Sequence, residues 1–213
     1  MTALVWDRVE DRRFETGIER GVLFPLDGDA QPWNGLVSVT ENRAREIKSY
    51  YIDGIKFLDH IVPGSFSGKI QAYTYPDVLD VVLGTQEFAP GVNVHDQRPG
   101  MFHLSYRTLL GDVLEGLDAG YKLHLVYNLS ASPVDTVFTT VGEKVDPNLF
   151  EWNVSGIQTS MWGVRPTNHL SFNSLTVDPE VLELVESKIY GTEEDEPTMP
   201  DLVELLAEIE AMT

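Results

Sequence analysis

Histidine is the residue type in this chain best suited to bind a transition metal. The five histidines are His60, His95, His103, His124 and His169. No two of them have the HxH or HxxxH spacing that places both rings on one face of a strand or helix. His103 and His124 could face each other on paired strands, with an acidic side chain completing a site. Because a metal site needs several convergent ligands, the favoured interpretation is histidines on polar strand faces, and we expect no metal and no cofactor.

Signatures of nucleophilic catalysis and of phosphate binding are missing from the sequence. It contains no GxSxG, GxGxxG or P-loop pattern, and Ser105 beside His103 is only a strand neighbour. His95 and Asp96 lie in a stretch rich in proline and glycine, which favours a loop over a catalytic dyad. With 34 acidic residues, some pair of carboxylates will match a glycosidase separation by chance. We therefore expect no catalytic residues and a protein that is not an enzyme.

Tryptophans beside carboxylates can form platforms that bind sugars. Trp152 alternates with polar residues and is predicted to lie in the core. Trp33 follows a proline and Trp162 lies in a glycine-containing loop, so either could be displayed at the surface. A carbohydrate-binding module therefore stays open as an alternative function.

The charge balance limits the partners that the surface can bind. The chain of 213 residues has a formal net charge of -19 and no cysteine, which excludes disulfides. Tight nucleic-acid binding is disfavoured, because phosphates are contacted mainly by Lys and Arg. The acidity fits a soluble surface, and it fits equally a surface past which DNA must slide. The first residues are charged and no run of 18 apolar residues occurs, so we expect neither a signal peptide nor a membrane span.

Two segments with strict two-residue alternation are predicted to form the central strands. They are Met101 to Leu109 and Tyr121 to Asn128. We expect one apolar face to form the core, made by Phe102, Leu104, Tyr106, Tyr121, Leu123, Leu125 and Tyr127. We expect the opposite, polar face to hold His103, Ser105, Arg107, Lys122, His124 and Asn128. Gly111 to Gly120, between the two strands, is predicted to be a projecting loop.

Further elements complete an antiparallel β-sandwich or barrel with flanking helices. Other strands are predicted at Gly21 to Phe24, Leu36 to Glu41, Ser49 to Leu58 with a turn at Asp53-Gly54, Phe66 to Tyr75, Thr136 to Thr140, Leu149 to Ser155 and His169 to Asn173. Proline and glycine punctuation predicts helices at Pro76 to Leu83 and Pro179 to Tyr190, with Asp178 as N-cap. We divide the chain into an arm (1–16), a β domain (17–192), and an acidic linker with an amphipathic helix (193–213). That last helix could dock on its own domain or on a neighbour.

A small basic cluster lies between two predicted strands. Arg43, Arg45 and Lys48 reverse the sign of an otherwise acidic chain. This pattern favours an attachment point for an acidic neighbour, with a solvated loop as the alternative.

Several segments, taken in order, resemble the major tail proteins of long-tailed bacteriophages of actinobacteria. They are FETGIERGVLF, WNGLVSVTE, YYIDGIKFL, IQAYTYPD, LSYRTLLGD, GYKLHLVYNLSASP, FEWNVSG, RPTNHLSFNS and the helix that ends in KIYGT. The likeness runs from about Phe14 to Thr192 and depends on the order and combination of the segments. The basic loop, the stretch from Val141 to Pro147 and the acidic tail match less clearly.

The resemblance implies a structural subunit of a tail tube, located in the virion and made in the host cytoplasm. Such subunits form stacked hexameric rings around a channel, so the implied partners are further copies of the chain and tail proteins such as the tape measure and the tail terminator. DNA would be a passing, non-specific cargo, and the family has no catalytic residues to transfer. We expect inter-subunit contacts at Arg43, Arg45, Lys48, Asp112 and Glu115. The alternatives are a tail terminator, a capsid decoration protein or the carbohydrate-binding module.

Overall fold

The computed structural model describes residues 6, 8, 12–42, 47–62, 64–140, 147–161 and 163–212. In chain order the elements are β1 (Phe14–Pro25), β2 (Gln31–Pro32), β3 (Leu36–Glu41), β4 (Ile47–Ile52), β5 (Ile55–Ile61), β6 (Ser67–Ala72), α1 (Val78–Val82), β7 (Gln86–Ala89), β8 (Val92–Val94), β9 (Phe102–Asp112), β10 (Gly116–Pro133), β11 (Phe150–Gly156), β12 (His169–Asn173), α2 (Pro179–Tyr190) and α3 (Leu202–Met212). The fold is mainly antiparallel β with flanking helices, as predicted, and its sheets do not close into a barrel. β1 begins at Phe14, inside the stretch that we expected to be an arm.

The main sheet is organised around β10, which is 18 residues long. Its strand order is β2-β1-β9-β10-β11-β6-β3, and β12 pairs with β10 beside this path. The first part of β10 pairs with both β9 and β12, and its last residues pair with β11. One long strand therefore connects the two halves of the molecule.

The register between β9 and β10 contradicts the predicted single apolar face. Tyr106 lies opposite His124 and Leu104 lies opposite Val126. Directly opposed residues of an antiparallel pair share a face, so Leu104 and Leu125 lie on opposite faces of the sheet. The residues predicted to share one apolar face thus belong to two different cores: Phe102, Leu104 and Tyr106 of β9 lie in one, and Leu123, Leu125 and Tyr127 of β10 lie in the other. Ser105, Arg107 and His124, expected on an open polar face, are buried.

Two hydrophobic clusters cover the two faces of this pair. The inner cluster joins β1, β6, α1, β9, β10 and β11, and it contains Phe102, Leu104, Tyr106, Val126 and Trp152. The outer cluster packs α2 and α3 onto the other face, and it contains Leu123, Leu125, Tyr127, Val185 and Leu205. The central strands are therefore buried on both faces.

The helix α2 has the bounds that the sequence predicts, and α3 begins at Leu202. The Asp178 carboxylate accepts a hydrogen bond from the N–H of Glu180, and Gly191, whose φ is 74°, follows the last residue of α2. α3 buries Leu202 and Leu205 in the outer cluster, so this helix docks on its own domain. Among the described residues, none of the helices combines the length and the apolar character needed to cross a membrane.

Two predicted segments differ from the structure. Thr136 to Thr140 forms no strand, because β11 is already paired on both sides and leaves no edge for it. The loop expected from Gly111 to Gly120 is mostly strand, since β9 continues to Asp112 and β10 starts at Gly116. A short hairpin of β7 and β8 was not predicted.

Candidate assembly surface and buried histidine cluster

The hairpin of β4 and β5 is an exposed apolar surface. Within the part of the chain that the structure describes, the two strands pair only with each other, and every residue in them is exposed. Its turn is the predicted Asp53-Gly54, with φ of 51° and 75°, as a type I′ turn requires. Eight large apolar side chains are exposed here: Ile47, Tyr50, Tyr51, Ile52, Ile55, Phe57, Leu58 and Ile61.

Apolar pairs occupy both faces of this hairpin. Ile47 lies opposite Ile61, and Tyr50 lies opposite Leu58. Because the two pairs are an odd number of residues apart, they lie on opposite faces. An isolated two-stranded hairpin is marginal in water, and soluble monomers rarely expose a large contiguous apolar patch. The hairpin therefore has the properties of a surface that another chain covers.

The residues expected to contact neighbouring subunits fall in two places. Arg43 and Arg45 lie outside the described residues. Lys48 lies in β4, opposite His60, so it belongs to the apolar hairpin. Asp112 and Glu115 lie at the tip of the hairpin of β9 and β10, far along the chain from Lys48.

At that tip the Asp112 carboxylate closes the turn. Its Oδ1 atom accepts hydrogen bonds from the N–H groups of Leu114 (2.8 Å) and Glu115 (2.6 Å). This contact is intramolecular and explains why an aspartate lies there. Val113 and Leu114 are 60% and 76% exposed, so the tip also presents apolar surface.

The structure places two of the three histidine and tryptophan residues that could have formed displayed sites. Trp33 is buried in the inner cluster, where its Nε1–H donates to the carbonyl of Thr74 at 3.0 Å, so it is no sugar platform. Trp162 lies outside the described residues. His103 does not face His124, because the register of the two strands puts Tyr106 opposite His124, and His103 Nδ1 accepts the N–H of Asn128 at 3.0 Å. Burial lowers the pKa of His103.

His124 instead meets His169 and Glu41 in what we call the histidine cluster. His124 Nδ1 lies 3.0 Å from His169 Nε2 and 3.6 Å from Glu41 Oε1. Burial, followed by the neighbouring His169, lowers the pKa of His124 to about 4, so its ring is neutral near pH 7. Sequence spacing gave no signal for this cluster, because it depends on the register of β10 with β12.

A second buried polar group lies under α2 and was also missed. The Arg107 guanidinium pairs with the Glu186 carboxylate and stacks 3.9 Å above the centre of the Tyr121 ring. The Tyr121 hydroxyl also donates to Glu186. Burial and this hydrogen bond raise the pKa of Tyr121 to about 12. Arg107 is only 5% exposed, so its charge depends on Glu186 for compensation.

A concave site lies beside α1. The cavity, of about 320 Å³, is lined by residues that include Tyr75, Asp80, His95 and Trp152. Burial is the largest cause of the raised pKa of Asp80. The hydrogen bond from the Tyr75 hydroxyl lowers this pKa, and the nearby charge of Asp77 raises it further. His95 Nδ1 lies 3.2 Å from the Thr85 hydroxyl. The Tyr75 ring packs edge-on against Phe150 and Trp152, and its hydroxyl donates to the Asp80 carboxylate, so this pair links α1 to the inner cluster.

Comparison of the chain with protein families, with curated protein sequences and with solved structures gave no match.

Proposed function

We propose that this protein is a structural subunit of a phage tail tube that polymerises as stacked hexameric rings around a channel for DNA. The observation that carries the proposal is the hairpin of β4 and β5, which is apolar on both faces and packs on neither. Large exposed apolar patches are typical of surfaces that bind another molecule, and in a self-assembling subunit such a patch is covered when the next copy arrives.

The two-faced character of the hairpin favours burial between two neighbours over burial against one. A strand pair lying flat on a single partner would leave its other face, with Tyr50 and Leu58 or with Ile47 and Ile61, in water. Insertion between two copies covers both faces. Rings that also stack supply such a position for every subunit.

The charge of the chain sets the conditions for assembly. A net charge of -19 on each copy repels its neighbours, so apolar contacts must outweigh this repulsion. The same charge prevents a channel wall from holding DNA. The outer face of β3, β6 and β11 is a polar wall candidate, where Gln71 connects Ser38 to Glu151 through hydrogen bonds of 2.9 and 2.7 Å.

Electron microscopy of the purified, concentrated protein tests the proposal directly. We expect rings or tubes, formed more readily at high salt, because a Debye length of about 10 Å at 0.1 M shortens further and screens the repulsion. A reconstruction of the tube should place Asp and Glu along the inner wall. Monomers at every concentration and salt would refute the assembly role, and a neutral or basic lumen would refute DNA passage. Closed rings that never stack would indicate a terminator.

A further inference from the structure

Three potential metal ligands converge at the polar end of the inner cluster. Glu41 ends β3, His124 lies in β10 and His169 begins β12, and their ligand atoms all lie within 4.8 Å of one another. Two of the separations are 3.0 and 3.6 Å. A tetrahedral ion with bonds of about 2.0 to 2.1 Å places its ligand atoms roughly 3.4 Å apart. Two of the three separations are thus close to this spacing, and the third is at most 4.8 Å.

The hydrogen bonds around His124 determine which ring nitrogen carries its lone pair. The Thr108 hydroxyl donates to Glu15 Oε1 at 2.6 Å, so its oxygen is available to accept from His124 Nε2, 3.2 Å away. Nε2 therefore carries the proton, and Nδ1 presents its lone pair to His169 and Glu41. A carboxylate that orients a histidine in this manner, here through Thr108, is typical of metal-bound imidazoles.

The other two ligands are also held in place by neighbours. The Tyr106 hydroxyl donates to Glu41 Oε1 at 2.6 Å, and the Tyr106 ring stacks on His124. Asn168, beside His169, is 1% exposed and bridges two backbones: it accepts the N–H of Phe66 at 3.0 Å and donates to the carbonyl of Tyr127 at 3.1 Å. These contacts hold the Glu41 carboxylate and the chain beside His169 in place before any ion arrives, which lowers the ordering cost of binding.

We propose that Glu41, His124 and His169 bind one divalent transition-metal ion, for which Zn²⁺ is the best fit. Two neutral imidazoles and one carboxylate are a ligand set that zinc accepts, with water in the fourth position. The partial exposure of Glu41 and His169 leaves a path for the ion and for this water. Without the ion, a hydrogen bond from His169 Nε2–H to His124 Nδ1 accounts for their 3.0 Å separation.

Metal binding at this place ties an edge strand to the centre of the sheet. β3 lies at one end of the strand order, and Glu41 precedes the apolar hairpin by only a few residues. An ion held by β3, β10 and β12 fixes the end of β3 relative to the core. The site thus stabilises the subunit, and it does not depend on whether the protein forms tubes.

The test uses the full chain without a histidine tag, stripped of metal with a chelator. Titration calorimetry with Zn²⁺ should give one ion per chain, and Co²⁺ should give the visible absorption of a tetrahedral complex. Glu41→Gln and His169→Gln should each weaken Zn²⁺ binding by at least about tenfold. Thr108→Val should weaken it by about tenfold while leaving the three ligands in place.

His60→Gln is the matched control, because His60 is exposed in β5, outside the cluster. It should bind Zn²⁺ as the wild type does, and circular dichroism should show that every variant is folded. Failure of the wild type to bind Zn²⁺ overturns the proposal without reference to any variant. So does binding that Glu41→Gln and His169→Gln leave unchanged.

Discussion

The hairpin of β4 and β5 allows assembly to be separated from folding by substitution. Ile55 and Phe57 are 73% and 67% exposed in the isolated subunit. Replacing both with threonine keeps β-forming residues but removes apolar surface. Fully burying isoleucine or phenylalanine instead of threonine is worth about 2 kcal/mol per residue. Scaling this value by the exposed fraction of each side chain gives about 3 kcal/mol for the two together. At about 1.4 kcal/mol per tenfold, assembly should require roughly 100-fold more protein.

Sedimentation velocity over a concentration series, with negative-stain microscopy, measures this shift. The free energy of unfolding of the monomer should change by less than about 0.5 kcal/mol, because neither side chain packs on the core. Val203→Thr, on the exposed side of α3, is the control and should leave assembly unchanged. The reasoning is refuted if the double variant assembles at nearly the wild-type concentration, or if its monomer is clearly destabilised.

Three further predictions concern stability. Glu186→Ala should lower the free energy of unfolding, measured with urea, by about 3 kcal/mol, because it leaves the buried Arg107 without a counter-charge. Leu205→Ala should cost about 3 kcal/mol in the same assay, because it opens a cavity between α3 and the sheet. His103 has a native pKa below its unfolded value of 6.5, so only the unfolded chain binds this proton just below pH 6.5. Stability should therefore fall as the pH drops from 6.5 through the native pKa, and His103→Gln should reduce that fall, measured as Tm against pH.

Each of these has a control in the same chain. Glu208→Ala breaks an exposed pair with Lys188 and should cost less than about 1 kcal/mol, so an equal effect at Glu186 would contradict the argument from burial. Val203→Ala shortens an exposed side chain of α3 and is the control for Leu205→Ala. It should change the free energy of unfolding much less than Leu205→Ala does. His60→Gln should leave the acid profile unchanged, and the same profile in His103→Gln would contradict the role of burial at His103.

The alternation of apolar and polar residues, together with the positions of proline and glycine, predicted most strands and helices, because both are local properties of the sequence. β3 and α2 were predicted with their observed bounds, and the Asp53-Gly54 turn was predicted from its dipeptide. The register of β9 with β10 was not predicted, because alternation within each strand does not determine which residue of one strand lies opposite which residue of the other. That register decides that Leu104 and Leu125 lie in different cores.

The candidate sites were less predictable for the same physical reason. His124 and His169 are 45 positions apart and meet only through the register of β10 with β12. The apolar hairpin did leave a signal: YYIDGIKFL has large apolar residues at both odd and even positions, so neither strand has a polar face for water. This pattern alone did not show that the hairpin is exposed, because a strand buried on both faces inside a large core has the same pattern.

Because β9 and β10 are buried on both faces, we expect them to open more slowly than the rest of the molecule. Amides in strands packed on two sides exchange with solvent only when the whole domain unfolds, whereas those of β4 and β5, packed on neither side, exchange through local opening. A copy joining an assembly thus brings a rigid centre and a hairpin whose local opening is suppressed on contact. The first copies to associate lose the mobility of the hairpin while making few contacts, whereas a copy that joins a complete ring makes more contacts for the same loss. Polymer growth should therefore show a lag before elongation.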